Sequence, residues 1–350
     1  MNDTRPRSAV LAGIGHWLPP TVMTNEELAV RVAVTAEWLR SRTGIAGRHV
    51  ADAGMATSDL AVEAGRRAME SAAAGEAAPD ARNRIDTVVV ATTTPDRITP
   101  ATAPEVATRL GLTGAAAFDL AAACSGFLYG LAVADGLVAA GTAQRVLVVG
   151  AETLTSIVDP TDPATSAIFA DGAGAAVVRA GRPHEPGAIR RVVLGSDGAG
   201  SDWIAVPGGG ARHPVPGAHG SGQQRYLKLA GPEVFRNAVR RMTAAAREAL
   251  ARAGWEPADV DRVIAHQANV HILLAVRRKL GIPPERMAAN IQHVGNTSAA
   301  SIPVLLAQDA AEGRIKPGDR LLLAAFGAGF TWAATTLVWP ELPGTARALR

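Results

Sequence analysis

The chain has 350 residues, 48% of them hydrophobic and 19% charged, which excludes a disordered polymer and leaves room for one large domain or two fused units. A surplus of three positive charges is too small to argue for nucleic acid. The single cysteine, Cys124, excludes an intramolecular disulfide and a Cys-rich zinc site, and leaves a lone thiol that is either a buried filler or a reagent.

The apolar run at residues 9–15 is short and ends at His16 without a convincing cleavage site, so no signal peptide is read there. A helix-period segment (59–73) precedes an apolar strand (85–90). A second helix runs to Leu110-Gly111, a strand-like stretch covers 117–120, and the small residues AAACSG fill 121–126. A helix is predicted over 127–140, then a buried strand from Arg145 to Gly150. The stretch Asp171-Gly-Ala-Gly lacks a full dinucleotide fingerprint and reads as a tight turn into a strand. Residues 196–222 are dense in Gly and Pro and read as a lid or pocket-lining excursion.

The pattern then repeats. A helix over 234–254 precedes a strand at 260–265, a further helix ends at Leu280-Gly281, and a strand should lead into the small residues GNTSAAS at 295–301. A helix and the strand 320–325 follow. Cys124 lies 17 positions before Gly141, and Asn296 lies 17 before Gly313, which matches Cys124 with Asn296. The uncharged stretch 321–339 is nearly long enough for a bilayer, but Gly327 and Gly329 make it two buried strands around a turn. A soluble, cytoplasmic α/β protein in two halves, 1–180 and 181–350, is expected.

Cys124 falls between a strand and a helix, where unpaired N–H groups and the helix dipole lower a thiol's pKa. Of eight histidines, His16, His49, His184, His213, His219 and His293 lie in loops or polar surroundings. His266 instead ends a buried strand, in HQAN, and should open on the same cleft as Cys124. The equivalence of the two junctions would aim Asn296 into that cleft. The turn 326–330 offers backbone N–H groups for an oxyanion. The basic run at 277–279 is either a solvated helix face or a meeting place for an acidic protein. No His/Asp/Glu cluster has metal spacing.

Cys124 in AAACSGF, HQAN at 266–269, GNTSAAS at 295–301 and FGAGFTW at 326–332 resemble the 3-oxoacyl-[acyl-carrier-protein] synthase III family of the thiolase superfamily. EWLRSRTGI at 37–45, DPTD at 159–162 and FADGAGA at 169–175 extend the resemblance to nearly the whole chain. It implies a duplicated, five-layered αβαβα thiolase fold, a homodimer, and a decarboxylating Claisen condensation that starts fatty-acid or polyketide synthesis. By this resemblance Cys124 takes an acyl group from acyl-CoA, with the backbone N–H groups of Cys124 and Ala328 holding the oxyanion. His266 and Asn296 stabilise the enolate formed as malonyl-carrier protein loses CO2. Trp38 and Arg42 meet the CoA adenine, Asn269 the pantetheine arm, and Phe169 the acyl chain. Arg236, Arg278 and Lys279 meet the acidic acyl-carrier protein. No cofactor or metal is implied, and neither nucleic acid nor membrane is a partner.

Three positions depart from the pattern. Thr99 replaces a Phe of short-primer members, which would lengthen the acyl channel. Pro163 replaces an Arg common in CoA-using members, and His271 an Arg common after HQAN. These suit a paralogue of specialised metabolism. The alternative function keeps the acyl-Cys124 step but moves the acyl group to a hydroxyl or amine without decarboxylation. A non-catalytic partner subunit is disfavoured by the presence of Cys124, His266 and Asn296.

Overall fold

The computed structural model describes residues 7–74, 85–214 and 222–342. His219 and the rest of 215–221 lie outside them, as do 1–6, 75–84 and 343–350. In chain order the first half holds β1 (Ser8–Trp17), β2 (Val22–Thr24), α1 (Asn25–Val32), α2 (Ala36–Thr43), β3 (Gly47–His49), α3 (Thr57–Ala74) and β4 (Thr87–Ala91). It continues through α4 (Ala103–Arg109), β5 (Ala116–Leu120), α5 (Gly126–Ala139), β6 (Arg145–Thr153), α6 (Pro163–Ser166) and β7 (Asp171–Gly181). The second half holds β8 (Val193–Ser196), β9 (Ile204–Ala205), β10 (Lys228–Leu229), α7 (Gly231–Ala253), β11 (Arg262–Ala265) and α8 (Val270–Leu280). It closes with α9 (Ile291–Val294), α10 (Ser301–Ala311), β12 (Arg320–Gly327) and β13 (Thr331–Val338).

Two sheets carry the architecture. One has the order β1-β7-β6-β4-β5, with β6, β4 and β5 parallel and β7 antiparallel to its neighbours. The other has the order β8-β13-β12-β11, with β11 and β12 parallel. Strands β4 and β6 are buried along their whole length, because a sheet covered on both faces needs apolar residues pointing both ways. Helices α5 and α10 fill the space between the sheets. Helices α3 and α4 cover the outer face of the first sheet, and α7 and α8 that of the second. Small side chains permit the close stacking: a Cβ on Gly174 of β7 would stand 2.7 Å from the Val304 backbone nitrogen of α10.

The duplication is real, but its register differs from the one the glycine spacing suggests. The paired starts are Thr87 with Arg262, Ala123 with Ser298, Gly126 with Ser301, and Arg145 with Arg320, each 175 positions apart. Ala123 and Ser298 even share a left-handed backbone, φ 46° and 47°. Cys124 therefore corresponds to Ala299, and Asn296 to Ala121. The glycine count misleads because α5 has 14 residues and α10 only 11, so the helix-ending glycines fall three positions out of step.

Other expectations also change. The strand expected before residue 295 shrinks to one bridge, Val263 to Met287, followed by α9. Asp171-Gly-Ala-Gly is not a turn but the first four residues of β7; Asp171 accepts hydrogen bonds from Ala51 N at 2.7 Å and from Thr155. Residues 321–339 are two paired strands, and among the described residues no helix is long and apolar enough to cross a membrane.

Candidate active site

Cys124 occupies a one-turn helix, Ala123–Ser125, between the end of β5 and the start of α5. The second half pins this turn. Ser125 Oγ donates to Thr331 O at 3.2 Å, and Thr331 Oγ1 donates to Ala122 O at 2.9 Å. Gly327 lies so close that a Cβ there would stand 2.7 Å from Cys124 N. Cys124, half-buried as a residue, lines a cavity of about 490 Å³. The lowered pKa expected from the helix end is not what the structure holds. Burial, with a smaller push from the negative charge of Glu152, takes the thiol up to about 12.

His266 follows β11 and is 1% exposed. Burial lowers its pKa to about 3, so the imidazole is neutral. Its Nδ1 lies 2.9 Å from Ser301 Oγ, which also accepts from Gln267 N at 2.8 Å. When the Ser301 hydroxyl donates to Nδ1, the neutral ring carries its own proton on Nε2 and can donate it. Asn296 is 4% exposed. Its Oδ1 accepts from Ser298 N at 2.9 Å, so its amide –NH2 is the free end. Its backbone bridges to the Phe169 segment through Ala170 N to Asn296 O and Asn296 N to Ile168 O.

The cavity brings together Cys124, His266, Asn296, Phe169, Asn269 and Arg42. Helix α2 reaches it because its end docks on the start of α8: Asn269 Nδ2 donates to Arg42 O at 3.1 Å, and His271 Nε2 lies 2.9 Å from Ser41 O. Asn269 also caps α8, accepting from His271 N at 2.8 Å, so both ends of its amide already hold structure. His271, standing where an Arg is common, thus ties the two helices together. The Arg42 guanidinium sits 5.4 Å from the centre of the Trp38 ring, which is 37% exposed beside the cavity mouth. Pro163 opens α6 under a cap from Asp162.

Thr99 is exposed on the loop after β4 and does not line the cavity. Arg236 and Lys279 line a separate groove of about 570 Å³ between α7 and α8, joined by Arg240 and Arg247. Arg278 is exposed on the same last turn of α8 but outside that groove. Sequence reasoning missed Arg240 and Arg247, which follow Arg236 along α7. It also missed Ser301, and the cavity walls Ile204, Leu229, Val234, Phe235 and Met242. Ile204, the one described residue of the 196–222 excursion that lines the cavity, pairs through β9 with Leu229 of β10, which also lines it.

Residues 118–198 match the family model 3-Oxoacyl-[acyl-carrier-protein (ACP)] synthase III, and residues 250–339 match the model of its C-terminal part. The chain is 53% identical over 336 residues to beta-ketoacyl-[acyl-carrier-protein] synthase III 3 of Streptomyces coelicolor, covering 96% of this chain and 98% of that one. The chain belongs to the 3-oxoacyl-[acyl-carrier-protein] synthase III family. Solved structures agree. The synthase III of Pseudomonas aeruginosa superposes with a TM-score of 0.87 at 42% identity, covering 96% of this chain and 99% of that one. The priming beta-ketosynthase of a polyketide pathway superposes at 0.88 with 33% identity, covering 98% and 99%. The five-layered thiolase fold is thus common to this synthase III chain and its relatives.

Proposed function

We propose that this synthase III chain starts fatty-acid or polyketide chains in two steps on one cavity. Cys124 first takes an acyl group from acyl-CoA or an acyl-carrier protein as a thioester. Malonyl-carrier protein then loses CO2, and the carbanion attacks the acyl-Cys124. The observation that carries this reading is the convergence of one thiol and two neutral hydrogen-bond donors. His266 and Asn296 line the cavity beside Cys124, and donors fixed in a largely apolar pocket stabilise an enolate oxygen without reorganising. A neutral His266 suits this role, because a donor is needed there and not a base. Backbone N–H groups of Cys124 and Ala328 hold the oxyanion of acyl transfer, with Gly327 packed against Cys124 N to bring them together.

Substrate contacts follow the same reading. Trp38 and Arg42 receive the CoA adenine at the mouth, Asn269 flanks the pantetheine arm, and Phe169 bounds the acyl chain. The groove of Arg236, Arg240, Arg247 and Lys279, with Arg278 nearby, receives the acidic carrier protein. A homodimer is supported by β5, an edge strand whose Phe118 is 36% exposed. Thr99, on a loop of the same edge region, would meet an acyl chain only across such an interface. No cofactor is proposed.

Intact-mass measurement against a panel of acyl-CoAs and acyl-carrier proteins tests the first step. One acyl adduct per chain is expected, and none on Cys124→Ala; an adduct that persists in that variant refutes the assignment. His266→Ala should keep the adduct and lose CO2 release from malonyl-carrier protein. A wild-type adduct without CO2 release would instead favour transfer to a hydroxyl or amine.

A further inference from the structure

Phe169 stands between two spaces. It lines the cavity of about 490 Å³ that holds Cys124, and it also lines a second cavity of about 220 Å³. No other described residue lines both. The residue is 7% exposed and its segment is fixed on both sides. Phe169 N donates to Thr165 O at 3.3 Å, and Ala170 N donates to Asn296 O at 2.9 Å. A passage between the cavities therefore needs only one side chain to change rotamer, with the segment that meets Asn296 left in place. The second space is large against the roughly 30 Å³ that one water occupies, and packed interiors keep few voids of that kind.

The second cavity has its own chemistry. Met23, Leu28, Val50 and Val158 give it apolar walls, yet Arg31 and Arg48 line it too and no acidic residue does. Arg31 is exposed in the last turn of α1, whereas Arg48 in β3 is 1% exposed. Every acceptor of the Arg48 guanidinium is neutral. Its Nη1 donates to Met23 O at 3.3 Å and Thr24 O at 3.4 Å; its Nη2 donates to Asn25 Oδ1 at 2.6 Å and Ala167 O at 3.4 Å. Its Nε is buried with no acceptor. Burial lowers its pKa to about 10, so the group stays charged at neutral pH. Thr155, on the same wall, is bound to Asp171, whose carboxylate serves Ala51 N and Thr155 and neither arginine. A buried cation without a counter-charge is costly, and tying carbonyl oxygens together needs only neutral donors.

We propose that the second cavity is the far end of the acyl site and takes chains that end in a carboxylate. This rests on Cys124 carrying the acyl group and on Phe169 bounding it. A chain on Cys124 meets the ring first. When the ring turns aside, a chain of sufficient length passes it, and its tip enters the space lined by Arg48. A carboxylate there supplies the missing counter-charge and accepts charge-assisted hydrogen bonds. A short chain ending in a carboxylate fares worse. Its charge is left among Ile204, Leu229, Val234 and Met242, with the Arg42 guanidinium away against the Trp38 ring. Phe169 thus sets which chains reach the cation, and Arg48 sets what their tips must carry.

The test follows acylation of the whole protein by intact mass, using a length series of acyl-CoAs in matched pairs. One member of each pair ends in a methyl group and the other in a carboxylate. Among short pairs the methyl-ended member should react faster. Among longer pairs the order should reverse, with the carboxylate-ended member ahead by about tenfold, the return from one charge-assisted hydrogen bond. Arg48→Met should abolish the reversal. Because Arg48 also ties β2 to α1, Val50→Phe serves as a second variant: it fills the cavity from another wall, leaves the guanidinium in place, and should abolish the reversal too. Phe169→Ala should speed the longer chains of both kinds. No reversal at any length, a reversal that survives either cavity variant, or longer chains that gain nothing from Phe169→Ala overturns the proposal. Failure of the nucleophile reading would appear separately, as acyl adducts that persist on Cys124→Ala.

Discussion

At the residue scale, burial outweighs local electrostatics. A helix start beside Cys124 predicts an easily ionised thiol, yet the packed surroundings push it the other way. The same force leaves His266 neutral at about 3 and His16 at about 4, the latter with help from the nearby Arg67 and His49. Both folded pKa values lie below the ordinary histidine value of about 6.5. The unfolded chain therefore binds more protons between those values, so stability is lost as pH falls below about 6.5 and the loss saturates near the folded values. Melting temperature should fall over this acid range, and His16→Gln should flatten part of the fall while leaving acyl-adduct formation intact. Ser301→Ala should keep the acyl adduct but slow CO2 release, because His266 loses its tautomer-fixing partner and Gln267 N its acceptor. The candidate site was legible at this scale where a residue ends a buried strand or sits in a run of small residues, as His266 and Cys124 do. Ser301 was not: a serine near a helix start reads as an ordinary cap.

At the element scale, the strand ends of one half serve the turns of the other. Gly327→Ala would drive a Cβ into Cys124 N at 2.7 Å, and Gly150→Ala would drive one into Ala299 O. Each should cost about 1–3 kcal/mol of stability, read by denaturant unfolding. Only the change at Gly327 should also slow acylation of the protein that remains folded. The elements themselves were readable, since continuous apolar runs, Leu-Gly helix ends and small-residue junctions each have a local cause. Their alignment was not. Helix α10 is three residues shorter than α5, and the connection after it is longer by as much, 312–319 against 140–144. The two differences cancel over the repeat, so a count from junction to glycine matches the wrong residues while the strands stay in step. The reduction of the fifth strand to a bridge at Met287 has the same character, because pairing partners and not local residues decide whether a short stretch becomes a strand.

At the scale of the whole molecule, the first sheet ends in the edge strand β5, with Phe118 exposed, and the proposed homodimer would cover that edge. Phe118→Asp should shift the protein toward monomer in sedimentation. If the dimer shapes the acyl end of the site through the loop carrying Thr99, the same variant should also change the preferred primer. The fold class followed from the repeated α/β pattern, whereas the edge was invisible because nothing in β5 distinguishes a buried neighbour from a second chain. The register of the duplication has one more outcome. The first half delivers the thiol, and the second delivers the imidazole, the amide and the glycine beneath the nucleophile. A chain divided between the two sheets would consist of two inert fragments, and any turnover they recover on mixing should depend on the product of their concentrations.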